Sequence, residues 1–171
     1  MGLQPNNYET VKSIIQKQEE QLRFDCFSHE DAWALGCFIV KRIQDASIDL
    51  TVAITKTNGH ILFQYATEKT SKNNQNWMKR KFNTVCLMEK SSLGAWVQSL
   101  ISGNAIKEHG LNDYDYVFCG GGFPIRLKTG EMIAVLTVSN LPHQQDHMFI
   151  ADALSEWLKV DGVEDILPLF T

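Results

Sequence analysis

The sequence predicts an α+β domain: a central antiparallel sheet with helices on both faces, layered as an α/β/α sandwich. Three observations carry this. Apolar residues recur at helical spacing near both ends of the chain. Between them lie two separate stretches of period-two alternation, each folded on a short glycine turn. Consecutive hairpins require antiparallel pairing, because parallel neighbours would need crossover helices. The 171 residues carry no repeat, low-complexity segment or linker, so residues 1–171 read as one domain.

The first helix runs from Tyr8 to about Arg23, with Val11, Ile14, Ile15 and Leu22 on one stripe. Ser28, with Asp31 three residues on, opens a second helix reaching about Ala46. Its apolar positions, Cys37 among them, cover more than one stripe, which predicts a largely buried helix with Lys41, Arg42 and Asp45 outward. At Leu50 the period becomes two. Asn58-Gly59 then predicts a type I′ turn and a return strand over 60–66. Residues 68–76 read as a polar loop, followed by a helix from Trp77 to about Glu89. Ser91 or Ser92 caps a further helix that ends at Gly103, and 104–115 read as irregular. A second hairpin turns at Thr129-Gly130. A last helix begins near Pro142, with Ile150, Ala151, Leu154, Trp157 and Leu158 facing inward. The tail from Asp161 reads as a loose extension or a partner contact.

Composition excludes several functions. A net charge of −4 gives no basic field for nucleic acid. No apolar run approaches a membrane span, and the first residues lack the basic and apolar regions of a signal peptide. Cys26, Cys37, Cys86 and Cys119 form no C-x-x-C pair, which argues against zinc-ribbon and thioredoxin chemistry and for reduced thiols in the cytoplasm.

Three motifs could carry chemistry. Gly120-Gly121-Gly122, followed by Phe123-Pro124, leaves backbone bare enough for a ligand or an anion to approach; a bent strand entry explains the same residues. A phosphate loop is excluded because a strand, not a helix, follows the glycines. His143 and His147 share a helix face at metal-ligand spacing, but Asp146 replaces the expected Glu and no third ligand is evident, so no metal is assigned. Asp146 suits the first turns of a helix, and His147 suits the polar tip of a pocket or an axial haem ligand. Trp77-Met78-Lys79-Arg80-Lys81 places cations beside an aromatic, either to hold an anion or as a solvated face.

Together, Trp77-x-x-Arg80-Lys81, Asn83-Thr84-Val85, Ser91-Ser92, the GGGFPI run from Gly120 and the VSNLPHQQDH run from Val138 resemble an uncharacterised bacterial and fungal family. It falls within the "haem-degrading domain" superfamily, beside HbpS, GlcG and the C-terminal domain of PduO. The resemblance spans Ser28 to about Leu158. One departure is Asn140, where Gly is usual; Asn is the next residue best suited to positive φ. The resemblance implies a profilin-like sandwich, homo-oligomers (dimers or larger rings), and haem binding in some members. It places Trp77, Arg80, Lys81, Gly120 to Pro124, Asp146 and His147 in one pocket.

The leading expectation is a cytoplasmic oligomeric protein that binds a small anionic ligand, a tetrapyrrole or another small anion, through Arg80 and Lys81. An enzyme using a His147–Asp146 proton-transfer pair is a second reading. An adaptor recruiting partners through Ile166, Leu167, Leu169 and Phe170 is a third.

Overall fold

The computed structural model describes residues 2–170. Helix α1 (Tyr8–Gln21) and helix α2 (His29–Asp45) precede strands β1 (Thr51–Lys56) and β2 (Ile61–Ala66). Helices α3 (Lys72–Met88) and α4 (Ser92–Ser102) follow, then strands β3 (Gly122–Arg126) and β4 (Met132–Ser139), then helix α5 (His143–Leu158). The sheet is four-stranded and antiparallel, in the order β2-β1-β4-β3.

The pairing Val52↔Val138, Ile54↔Leu136 and Phe123↔Leu136 puts the large apolar residues of three strands on one face. Helices α2 and α5 pack there, and Val11, Ile14 and Ile15 of α1, with Leu22 just after it, join the same core. The opposite face carries Thr51, Ala53, Thr137 and Ser139 in register, and α3 lies across it. Small and hydroxyl side chains let that helix approach the sheet closely. The α4 helix shields the β3 side, and β2 remains an open edge.

Local chemistry explains the element boundaries. Ser28 Oγ accepts from Asp31 N while Asp31 accepts from Ser28 N, the predicted capping box. The first hairpin uses a different turn from the one expected, and the second uses the same turn as the first. Only the glycine has positive φ, Gly59 at +91° and Gly130 at +101°. In the first, Gly59 N donates to Lys56 O and Lys56 N to His60 O; in the second, Gly130 N donates to Leu127 O and Leu127 N to Glu131 O. This is the three-residue loop with a glycine bulge, not a type I′ turn, because Asn58 stays at negative φ.

Three further expectations are corrected. Helix α3 begins at Lys72, not Trp77, because Ser71 and Asn74 form a reciprocal cap and Asn74 reaches Ser139 and Asn140. Cys37 is exposed, on an outward strip of α2 with Trp33. The tail is not loose: Ile166 and Phe170 are buried, Leu167 and Leu169 half-buried, and Phe170 bridges to Leu3.

Candidate functional site

Residues 77–81 and 120–147, far apart in sequence, meet in space. Their junction is a buried ion pair. Lys81 Nζ lies 2.8 Å from Asp146 Oδ2, with both side chains at 3% exposure or less. The ammonium also donates to Val138 O at 2.9 Å. Asp146 Oδ1 accepts from Leu141 N at 3.1 Å, so the carboxylate also closes the entry to α5. Burial pushes the Asp146 carboxyl up to about 6, against the pull of Lys81.

The glycine run makes room for this pair. Gly121 has φ +107°, and a Cβ there would stand 2.6 Å from Lys81 Nζ and 2.7 Å from Val138 O. A Cβ on Gly120 would collide with the His143 carbonyl. The bare backbone is therefore approached by the chain's own lysine and helix α5, not by an external group. Two of the glycine N–H groups are already used: Gly120 N donates to His143 Nδ1 at 3.3 Å and Gly122 N to Ser92 Oγ at 2.9 Å. The expectation that they face an anion is corrected accordingly.

Above the ion pair lies a cleft of about 470 Å³, within the usual size range for small ligands. Trp77, Trp96, His143, Cys119 and Asn74 form its sides, and Lys81 and Asp146 its floor. Trp96 meets His143 edge-on, with ring centres 4.7 Å apart. Burial holds the His143 imidazole below its ordinary range, with Lys81 adding to the effect, and burial pushes the Cys119 thiol up. Another hollow of about 400 Å³ lies between α3 and the uncovered part of β1 and β2, lined by Ile61, Gln64, Gln75 and Phe82. It has no charged pair at its base, and of the Trp77–Lys81 run it meets only Met78 and Lys79.

The candidates divide into those that line the cleft and those that support it. Trp77, Lys81 and Asp146 line it. Arg80 stacks on the Trp77 ring, 4.5 Å from its centre, and donates to Tyr116 O. Arg80 is thus outside the cleft, and the charge of Lys81 is matched by Asp146; the expected two-cation anion clamp does not assemble. Phe123 is core, and Pro124 is buried in edge strand β3, where its missing N–H is tolerated. His147 has no exposed surface and bonds Gln18 through Nε2 at 2.8 Å. Burial lowers its pKa to about 3, so it stays neutral. Asp146 turns to Lys81 and His147 to Gln18, so the expected proton-transfer pair is not formed.

Sequence reasoning missed Trp96, Asn74 and Cys119 as cleft residues and discounted His143. A signal for His143 was present: it opens α5 beside the Asn140 turn, where a helix terminus faces the sheet edge. Asn140 keeps φ +142°, as its replacement of glycine predicted, and its amide donates to Asp49 O at 2.9 Å.

Fold and cleft together define an antiparallel sandwich with a recessed polar floor between α3, α4 and α5. The family model described as "Haem degrading protein HbpS-like" matches residues 27–155, and the chain belongs to that family. It is 32% identical over 166 residues to a UPF0303 protein of Yersinia enterocolitica, covering 95% of this chain and 98% of the relative. Among solved structures it is similar to Ybr137w, with TM-score 0.80, 21% identity and coverage of 92% and 96%. It is also similar to a PduOC:Heme complex, with TM-score 0.60, 21% identity and coverage of 76% and 94%. No described helix is long and apolar enough to cross a membrane.

Proposed function

We propose that this chain is a small-molecule-binding protein whose ligand occupies the cleft over Lys81 and Asp146. The observation that carries this is the convergence of Trp77, Lys81, Trp96, His143 and Asp146, from three helices, on one hollow. Lys81 has three N–H groups and spends them on two protein acceptors, Val138 O and Asp146 Oδ2. One donor remains for a ligand carbonyl or carboxylate, and the indoles supply apolar walls. A neutral ion pair at the floor favours such a polar group over a multiply charged anion.

Haem is the ligand suggested by the family description and by the PduOC:Heme neighbour. The cleft residues do not fit an iron centre. His147 is enclosed and bonded to Gln18, and His143 Nδ1 already accepts from Gly120. Burial pushes the Cys119 thiol up, away from the thiolate form that iron ligation needs. The reading is therefore an organic ligand bound without iron ligation.

The test is a titration panel of haemin, metal-free protoporphyrin and benzoate, followed by tryptophan fluorescence and calorimetry. Binding should weaken at least about tenfold in Trp77→Ala, worth ~1.4 kcal/mol. It should be unchanged in Ile61→Ala, which alters only the other hollow. A saturable Soret shift abolished by His143→Ala would sink the iron-free reading. Binding sensitive only to Ile61 would move the site.

The same reading includes self-association and residence in a reducing compartment. Strand β2 is an open edge beside exposed Ile61 and Trp33, a surface type that a second copy covers. All four cysteines are unpaired. Light scattering that reports only monomer across concentrations removes the self-association.

A further inference from the structure

The family match leaves two segments outside it, residues 1–26 and 156–171. The structure joins them to each other. Leu3 bridges Phe170, Asn7 Nδ2 donates to Leu169 O at 3.2 Å, and Gln18 Nε2 donates to Glu164 O at 2.8 Å. Both then reach the two histidines of α5. Phe170 stacks on Trp96, centres 6.1 Å apart, and meets the His143 ring edge-on at 6.3 Å. Gln18 meets His147.

Hydrogen-bond polarity fixes what these contacts do. The Gln18 amide nitrogen is already donating to Glu164 O, so its oxygen is the acceptor, and His147 Nε2 must carry the proton. That leaves the His147 Nδ1 lone pair sealed in the interior without a partner. At His143 the Gly120 N–H occupies Nδ1, so the neutral ring carries its proton on Nε2. Trp96 and Phe170 hold that ring in place on the cleft wall.

We propose that the two terminal segments form a specificity clamp. Gln18 holds His147 out of the cleft, and Phe170 packs the His143 ring where the Gly120 N–H meets Nδ1, so that His143 stands on the wall as an N–H donor. The cleft therefore selects a ligand that presents a hydrogen-bond acceptor, a carbonyl or a carboxylate, and refuses one that needs an imidazole lone pair. This rests on the cleft being the ligand site, but its first test needs no ligand. Gln18 and Phe170 are positioning residues: each acts through a histidine. The charged and titratable groups around His143 are Lys81, Asp146 and Cys119 on the cleft and His147 on the same helix, and the substitutions at Gln18 and Phe170 remove none of them.

Long-range proton–nitrogen NMR of the histidine rings in the full chain reads the tautomers directly. In the wild type both His143 and His147 should show the Nε2–H form at neutral pH. Gln18→Leu should shift His147 toward a mixture and leave His143 unchanged. Phe170→Ala should lose the single His143 form and leave His147 unchanged; Phe170→Leu, which keeps more of the packing, should show a smaller loss in the same direction. A merely structural role would move both histidines together or neither. Unchanged tautomers in folded Phe170 variants would overturn the clamp, as would an Nδ1–H form at His143 in the wild type. A haemin complex of the wild type with His143 bound to iron would overturn the ligand class.

Discussion

Lys81 sits on α3 three residues after Met78 and four before Val85, and all three are buried. That spacing places the ammonium on the inward stripe of the helix, while Lys79 is exposed and Arg80 lies against Trp77. The run of three cations looks uniform in the sequence, but helical phase divides it. The phase was legible; the acceptor was not, because Asp146 and Val138 lie some sixty residues away and only the fold brings them near. The glycine run shows the same limit. Three glycines announce a close approach, but the sequence does not say what approaches. Since Lys81 Nζ is the approaching group, Gly121→Ala combines a Cβ at φ +107° with a collision against a buried cation. The variant should lose about 3 kcal/mol in urea denaturation. A loss under about 1 kcal/mol, the usual Gly-to-Ala range, would show that the ion pair has room to move.

At the scale of elements, α5 holds two adjacent groups whose titrations oppose each other. Asp146 binds its proton more tightly in the fold, at about 6 against an ordinary 3.8, because it is buried. Its contribution is therefore full below about 3.8 and is lost as pH rises through about 6. His147 is depressed to about 3 from 6.5, also by burial. Its contribution is full above 6.5 and is lost as pH falls toward 3. Between about pH 4 and 6 the two act in opposite senses. Asp146→Asn removes the group that opposes His147, so stability should fall more between pH 7 and pH 4 in that variant than in the wild type. Denaturation midpoints across pH check this; an Asp146→Asn profile parallel to the wild type would disprove it. The elements themselves were largely legible. Period-two alternation and the two glycine turns located all four strands, and Ser28 with Asp31 located α2. The start of α3 was missed because residues 72–76 are polar and carry no apolar stripe; their helix is held by the Ser71–Asn74 cap and by contacts from Asn74 to the β4 end. The tail was missed because Ile166 and Phe170 are spaced for no regular element, and Phe170 finds its partners only where the chain folds back on Leu3, Trp96 of α4 and His143 of α5.

Across the whole molecule, the two faces of the sheet are held by different forces. On one face, α1, α2, α5 and the tail share a continuous apolar core. On the other, α3 buries few apolar side chains, chiefly Met78 and Val85. It is tied down by polar contacts: Lys81 to Asp146 and Val138 O, Thr84 Oγ1 to Val117 O, and Asn83 to Asp115 O. Polar ties resist local opening less than apolar burial does, because water replaces them as they break. The cleft wall is therefore the layer poised to open first, while β4 and α5 stay closed. Native-state hydrogen exchange should show α3 amides opening at a lower free energy than those of β4. Asp146→Asn replaces the charged acceptor of Lys81 Nζ with a neutral amide and so weakens the tie between α3 and α5. Protection should then fall further in α3 than in the second half of α5, although the substitution lies on α5. Equal protection of α3 and β4 in the wild type would mean that the sandwich opens only as a unit. The Lys81–Asp146 contact would then be part of the global core, not the latch of one layer.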